Sequence, residues 1–187
     1  MPSLKVTGDF KSVLKWANVI NPVVAKPALN FTLNRIGVKI KNQSASEVAR
    51  VQSIKVGLIK ARIREIRSQF RTLTYRVRAD ARGITWGSLD PKVIKRGNKG
   101  RTAGVRAGKH KHRHAFIARG KNGKTMVFVR ENPNGGRYPL RALRVRLNVT
   151  FEKAFDRQIT INRRDLAPTF YREFNRRLAI ENAKVKK

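Results

Sequence analysis

The stretch AFIARGKNGKTMVFVR, residues 115–130, decides the fold class. Ala115-Phe116-Ile117-Ala118 and Met126-Val127-Phe128-Val129 are two apolar runs, and Asn122-Gly123 sits between them. Asn-Gly tolerates the backbone angles of a tight hairpin turn, so the pattern predicts two antiparallel strands. Toward the N-terminus, Leu73, Tyr75 and Val77 alternate with Thr74, Arg76 and Arg78, the period of a half-buried strand. Arg82-Gly83 predicts a turn, and Ile84, Trp86 and Leu89 carry apolar character into a second short strand. Toward the C-terminus, Asn132 to Gly136 is turn chemistry again. Leu143, Val145, Leu147 and Val149 then alternate with Arg144, Arg146 and Asn148, which predicts a strand, with helix an option near its end.

Either side of this β-rich centre the period becomes helical. Phe10, Val13, Leu14 and Ala17 predict a short helix over Leu4 to Ile20, with Thr7 or Asp9 as its cap. Asn21-Pro22 marks a break and a new helix start. Leu29, Leu33, Ile36 and Ile40 then form one stripe, continued by Val48 and Val51. Pro27 and Gly37 argue against a straight helix, and Asn42-Gln43-Ser44 either interrupts it or lies on its wet face. Ile59, Ile63, Ile66 and Phe70 predict a further helix after Gly57. From Asp165 or Thr169 to Lys184, the residues Phe170, Phe174, Leu178 and Ile180 predict a closing helix. The expected class is α+β: N-terminal helices, a central antiparallel sheet with a long basic loop, and a C-terminal helix. A single domain over 1–187 is expected, mainly helical over 1–70, mainly β over 71–160, with the terminal helix and tail over 161–187.

Charge is the second strong signal. The 187 residues hold 44 Lys and Arg against 11 Asp and Glu, a net charge of +33. Self-repulsion on that scale weakens a solitary compact state, so an acidic partner is expected: nucleic acid first, then an acidic protein surface, then an anionic membrane. No carboxylate lies between Asp90 and Glu131, whereas residues 91–130 carry thirteen cations. The stretch 91–113 is rich in glycine and poor in large apolar residues, which predicts a loop or a pair of frayed strands. Its Lys92, Lys95, Arg96, Lys99, Arg101, Arg106, Lys109, Lys111 and Arg113 are candidate contacts for phosphate or for an acidic partner; the competing reading is a solvated face. No helix-turn-helix, homeodomain or oligonucleotide-binding signature points to base-specific readout.

Other chemistries find little support. There is no cysteine, which removes disulfides, thiolate nucleophiles and zinc fingers together. His110, His112 and His114 alternate, so a strand would place all three on one face. Lys109, Lys111 and Arg113 would repel a metal ion there, and polar surface is the preferred reading. No nucleophile elbow, Walker loop or dinucleotide fingerprint is present, and no catalytic or cofactor-binding residue is assigned. The aromatic residues, Phe31, Phe70, Trp86, Phe116, Phe128, Phe170, Tyr171 and Phe174, fall mostly in apolar-patterned slots and are expected in the core. The N-terminus lacks the apolar run of a secretory signal, and no run approaches the roughly 20 residues needed to span a bilayer.

The order of elements adds a resemblance. His114-Ala115-Phe116-Ile117-Ala118, Gly120 to Lys124, Val127-Phe128-Val129-Arg130 and Arg137-Tyr138-Pro139-Leu140 follow one another in a sequence that resembles the minor tail protein Z family of tailed bacteriophages. Ala28 to Ile36 and Leu58 to Ile63 look like the two helices of that family's N-terminal half. The motif positions are Ala115, Phe116, Arg130, Arg137, Tyr138 and Pro139. The resemblance covers residues of about 5 to 160, and Asn162 to Lys187 has no counterpart in it. It implies a structural virion protein that completes the tail at its head-proximal end and makes it competent to join the head. Partners implied are the tail terminator, the tail tube, other neck proteins, the DNA end and further copies of itself in a ring of about six. The implied setting is the virion tail or neck, and the host cytoplasm during assembly. In that setting Arg137, Arg141, Arg144 and Arg146 are candidates for bidentate pairs with partner carboxylates, the competing reading being solvated edge residues. The alternative of another class is a ribosomal or other RNA-binding protein, and a third is a histone-like condensing protein.

Overall fold

The computed structural model describes residues 3–5, 15, 19–80, 83–96, 101–120, 122–132 and 139–185. Its framework is one long helix, α1 (Pro22–Gln52), starting where Asn21-Pro22 predicted. The Asn21 Oδ1 accepts hydrogen bonds from the Val23 and Val24 backbone N–H groups, both at 3.1 Å, and Pro22 needs no partner for a missing donor. Neither Pro27 nor Gly37 breaks the helix, and Asn42-Gln43-Ser44 does not interrupt it. Gly37 is instead a seat: a Cβ there would overlap the ring of Tyr75, which is buried against the helix.

Beyond α1 the helical expectation fails in part. Leu4 belongs to a strand, β1 (Ser3–Lys5), while Lys15, Val19 and Ile20 are helical. Thr7, Asp9, Phe10, Val13, Leu14 and Ala17 lie outside the described residues. The Ile59 to Phe70 stripe is not one helix: α2 (Val56–Lys60) stops after one turn and β2 (Ile63–Ile66) follows. Pairing explains the switch, because Ile63 and Glu65 sit opposite Ala79 and Val77 of β3 (Arg76–Ala79), whose other edge takes β1. Long-range pairing outweighs helix periodicity over so short a segment.

β4 (Ile84–Thr85) runs into a 3-10 turn at Trp86–Leu89 instead of extending as a strand. The described residues between 92 and 112 are not a loop. They form a three-stranded antiparallel meander: β5 (Lys92–Arg96), β6 (Arg101–Ala107) and β7 (His110–His112). The Asn122-Gly123 hairpin is present as β8 (Ala115–Arg119) and β9 (Thr125–Arg130), with Phe116 opposite Phe128. β10 (Leu140–Ala142) pairs with β9, and β11 (Arg144–Val145) with β4.

The alternation at Leu143 to Val149 ends sooner than the pattern implies. A helix, α3 (Asn148–Arg163), begins immediately after β11 and Leu147, and α4 (Leu166–Val185) closes the chain as expected. Phe151, Ala154 and Phe155 of α3 and Phe170 and Phe174 of α4 are buried, with the pairs Phe151–Phe155 and Phe170–Phe174 each stacked at 5.8 Å. Burial of each such ring is worth about 1.5–3 kcal/mol. α3 also meets α1 through polar rungs. Gln52 Nε2 donates to Thr150 Oγ1, Gln158 Nε2 to Glu47 Oε2, and Asn162 Nδ2 to Gln43 Oε1, each at 2.8 Å. Gln43 and Ser44, whose Oγ donates to the Ala154 carbonyl at 3.4 Å, come from the cluster that looked like an interruption of α1 and instead help fix its register against α3. The buried apolar residues form one core in which α1, α3 and α4 meet Tyr75, Val77, Ile84, Trp86, Val105 and Val127 from the β-rich centre. Phe31, Phe70 and Tyr171, expected in the core, are exposed instead, Phe70 by 61%. Among the described residues no helix is long and apolar enough to cross a membrane.

Candidate polyanion interface

Strand register turns the basic stretch into a surface. Lys92 of β5 faces Arg106 of β6, and Arg106 faces Lys111 of β7, so three cations stand in one row across the meander. Directly opposed residues in an antiparallel pair point to the same side, and neighbouring strands lie about 4.7–4.9 Å apart. All three side chains are exposed. Farther along, Arg96 is opposite Arg101 in the register. A bulge between Ile94 and Lys95 shifts the pairing there, and Gly104 beside it holds a positive φ of 122°. The other side of the meander is apolar: Val105 and Ala107 are buried, and the His110 ring lies 5.8 Å from that of Trp86.

Like charges placed directly opposite one another cost stability. Among the described residues no carboxylate relieves this row. Lys39, Lys41, Lys55, Arg62, Arg157, Arg176 and Arg177 each reach an acid, but Lys92, Lys95, Arg106, Lys111 and Arg113 do not. The meander thus presents uncompensated charge on a rigid sheet, an arrangement suited to a polyanion whose bound counterions are released on contact.

The nine candidate cations are not equivalent. Lys109 is occupied elsewhere, its Nζ donating to the Val51 carbonyl in the last turn of α1, where a cation also suits the helix dipole. Arg106 anchors its own turn by donating from Nε to the Gly108 carbonyl at 3.0 Å. Lys95 is exposed opposite Thr102, and Arg113 is exposed in the turn before β8. Lys99 lies outside the described residues.

Of the three histidines, His110 and His112 share one face of β7, opposite Ala107 and Val105, whereas His114 lies beyond the strand in a turn. His110 packs on Trp86, and burial, followed by the charge of Lys109, holds its pKa below the usual imidazole value against a hydrogen bond to the Gln52 backbone. His112 and His114 meet edge to face, with the His114 N–H donating to His112 Nδ1 at 3.3 Å. Among the described residues no three metal-ligating side chains come together.

The motif residues form a scaffold beside the meander. Ala115 is buried opposite Val129, Phe116 and Phe128 sit 6.1 Å apart, and the Arg130 guanidinium lies 6.0 Å from the Phe116 ring centre. The Pro139 carbonyl accepts from the Glu131 N–H at 3.2 Å, and Arg137 and Tyr138 fall outside the described residues. Arg64 and Arg78 add a like-charged pair on the outer face of β2 and β3. The alternation of Arg76 and Arg78 with Tyr75 and Val77 foreshadowed that face, whereas Arg64 was hidden by the helical reading of its segment.

Comparison with known proteins adds one finding. Residues 18–181, well over half of the chain, match the family described as prophage minor tail protein Z. The match runs through α3 and nearly all of α4, so the segment from Asn162, expected to lack a counterpart, lies mostly inside it. No curated protein and no solved structure matches the chain.

Proposed function

The chain belongs to the prophage minor tail protein Z family, which makes it a structural component of a phage tail, and from that premise we propose that it completes the tail at its head-proximal end. In this role it acts late in assembly and renders the tail competent for head joining. Its neighbours are the tail terminator, the tail tube, other neck proteins and further copies of itself in a closed ring of about six. It acts as one unit over 1–187, in the host cytoplasm while tails are built and in the tail or neck of the finished particle. The work is non-catalytic, in keeping with a family of structural tail components.

The observation that carries the reading is the opposed row Lys92, Arg106 and Lys111 on a meander without carboxylates. An exposed sheet face with this charge matches DNA in the tail lumen: phosphate contacts need no base sequence, and strand pairing spaces the cations. Family membership accounts for the ordered 114–140 block, which a ribosomal or histone-like role does not explain.

The test is imaging of particles made without this protein. Tails of normal length that fail to join filled heads, or join without becoming infectious, are the expected result. Normal infectivity, or tails arrested short, overturns the assignment to completion. Complementation with the K92Q/R106Q/K111Q variant should restore tails but lower the yield of infectious particles.

A further inference from the structure

A second cationic feature, separate from the meander, is concave. Arg62, Arg64 and Arg144, with Asp80, Thr85 and the backbone at Ala61 and Gly83, line a cavity of about 390 Å³. Its walls come from segments far apart in sequence. Arg64 is on β2; Arg62 precedes it, with its carbonyl accepting from the Asp80 N–H at 2.8 Å; Arg144 on β11 pairs with Thr85 on β4. Backbone pairing fixes three of the positions, so the guanidinium stems converge on one hollow.

We propose that this cavity binds a dianionic phosphate group. Charge accounting favours that ligand. Three arginines and one carboxylate, Asp80, line it, and Arg62 already engages Asp80 at 3.2 Å, leaving two positive charges unmatched in the lining. Among the described residues neither Arg64 nor Arg144 has a carboxylate partner, and Arg64 stands opposite another cation, Arg78. A terminal phosphate carries about −1.5 to −2 near neutral pH, whereas a carboxylate or a backbone phosphodiester carries one charge. Its three terminal oxygens also offer more acceptor positions than the two of a carboxylate, so three arginines can be served at once. A duplex meets a protein with phosphodiesters on a convex backbone, which suits the exposed face of the meander; a hollow suits a protruding terminal group. The chemistry is the same for free phosphate and for the phosphate at the end of a nucleic-acid strand.

The site is tested by calorimetric titration of the full chain with inorganic phosphate at constant ionic strength, with chloride as the control. One saturable site is expected, weakened about tenfold in R64Q and in R144Q, each of which removes a charged donor. Both residues are exposed, and thermal melts of the variants verify folding. K92Q/R106Q/K111Q should leave phosphate binding unchanged, so failure here and failure of the lumen reading are distinguishable. Two oligonucleotides of one sequence, with 5′-phosphate and 5′-hydroxyl ends, separate the sources. Preference for the phosphorylated strand that R144Q abolishes supports a strand end, and equal binding with phosphate binding retained supports the free ion. Phosphate binding that equals chloride, that survives R64Q and R144Q undiminished, or that an acidic peptide displaces more effectively than phosphate overturns the proposal.

Discussion

Removing charge from the row Lys92, Arg106 and Lys111 by substitution with Gln should push affinity and the electrostatic part of stability in opposite directions. The three cations form two directly opposed like-charge pairs on exposed strand positions. At a separation of about 5 Å in water, each pair repels by about 0.8 kcal/mol, within the range of about 0.2–1 kcal/mol for cross-strand pairs. Both pairs share Arg106, so K92Q/K111Q removes both repulsions while keeping the Arg106 donation to the Gly108 carbonyl, and this double variant should be more stable by about 0.5–2 kcal/mol in urea unfolding at low salt. Duplex binding should weaken instead in K92Q/R106Q/K111Q. Each phosphate contact contributes about 0.9 to the slope of log affinity against log salt, so losing three makes the slope shallower by about 2.7. Raising salt from about 50 to about 200 mM should then cost the parent about 40-fold more affinity than the variant. Fluorescence anisotropy on a short duplex, repeated across salt, reads this directly. An unchanged slope refutes phosphate contact by the row. A K92Q/K111Q variant less stable than the parent refutes the claim that the row is electrostatically frustrated.

Other consequences follow from the packing. Gly37→Ala should gain about 1 kcal/mol in helix propensity but lose more to overpacking, because the new Cβ meets a Tyr75 ring that is only 1% exposed. A net loss of about 1–2 kcal/mol by urea unfolding is expected, and a neutral result shows that the ring moves aside. Tyr75→Phe removes a hydroxyl that donates to Glu65 Oε2 at 2.5 Å and should cost about 1–2 kcal/mol, the lower end for a charged acceptor that water still reaches. Acid should destabilise the fold in two steps. His110 has a folded pKa below the usual imidazole value of 6.5, so the unfolded chain takes up the proton first and stability falls as pH drops below that value. Glu65 and Glu173 have pKa values lowered from 4.5, chiefly by hydrogen bonds from Lys41 and Arg176, so their contribution holds above that value and is lost below it. Melting temperature should fall from pH 7 to 4, and H110N should flatten the upper step; a parent curve flat between pH 7 and 5 counts against the His110 environment.

Local signals with a single physical solution were legible in the sequence. Asn21-Pro22 caps α1 because its side chain and ring meet the needs of a helix start without tertiary help. Asn122-Gly123 joins β8 and β9 for the same kind of reason. The errors share a different cause. Ile59, Ile63, Ile66 and Phe70 fit a helix, yet Ile63 finds a better partner in Ala79, which no local pattern encodes. Leu143, Val145, Leu147 and Val149 alternate straight across the change from β11 to α3, hiding the helix that Phe151, Ala154 and Phe155 open. The candidate surface was half legible. Counting charge located the 91–113 stretch, but the row Lys92, Arg106 and Lys111 exists only through strand register. The arginine cavity was invisible, since Arg62, Arg64 and Arg144 come together only after three segments pair.

The net charge of +33 now divides into two parts with different consequences. On the helices, acids offset cations locally: Lys39 reaches Asp165, Lys41 reaches Glu65 across to β2, Arg157 reaches Glu47, and Arg176 and Arg177 share Glu173. The meander has no such relief, so its repulsion is paid within the isolated fold and recovered only against an anion. Salt should therefore act on the two states with opposite signs. At about 0.1 M the screening length is about 10 Å, twice the spacing of the row, so moving toward 1 M should stabilise the isolated chain against urea while loosening it from DNA. Ligand linkage makes the same point at low salt, where a duplex should raise the melting temperature of the parent more than that of the row variant. A parent chain that loses stability as chloride rises would mean that its ion pairs, and not the opposed cations of the meander, dominate its electrostatics.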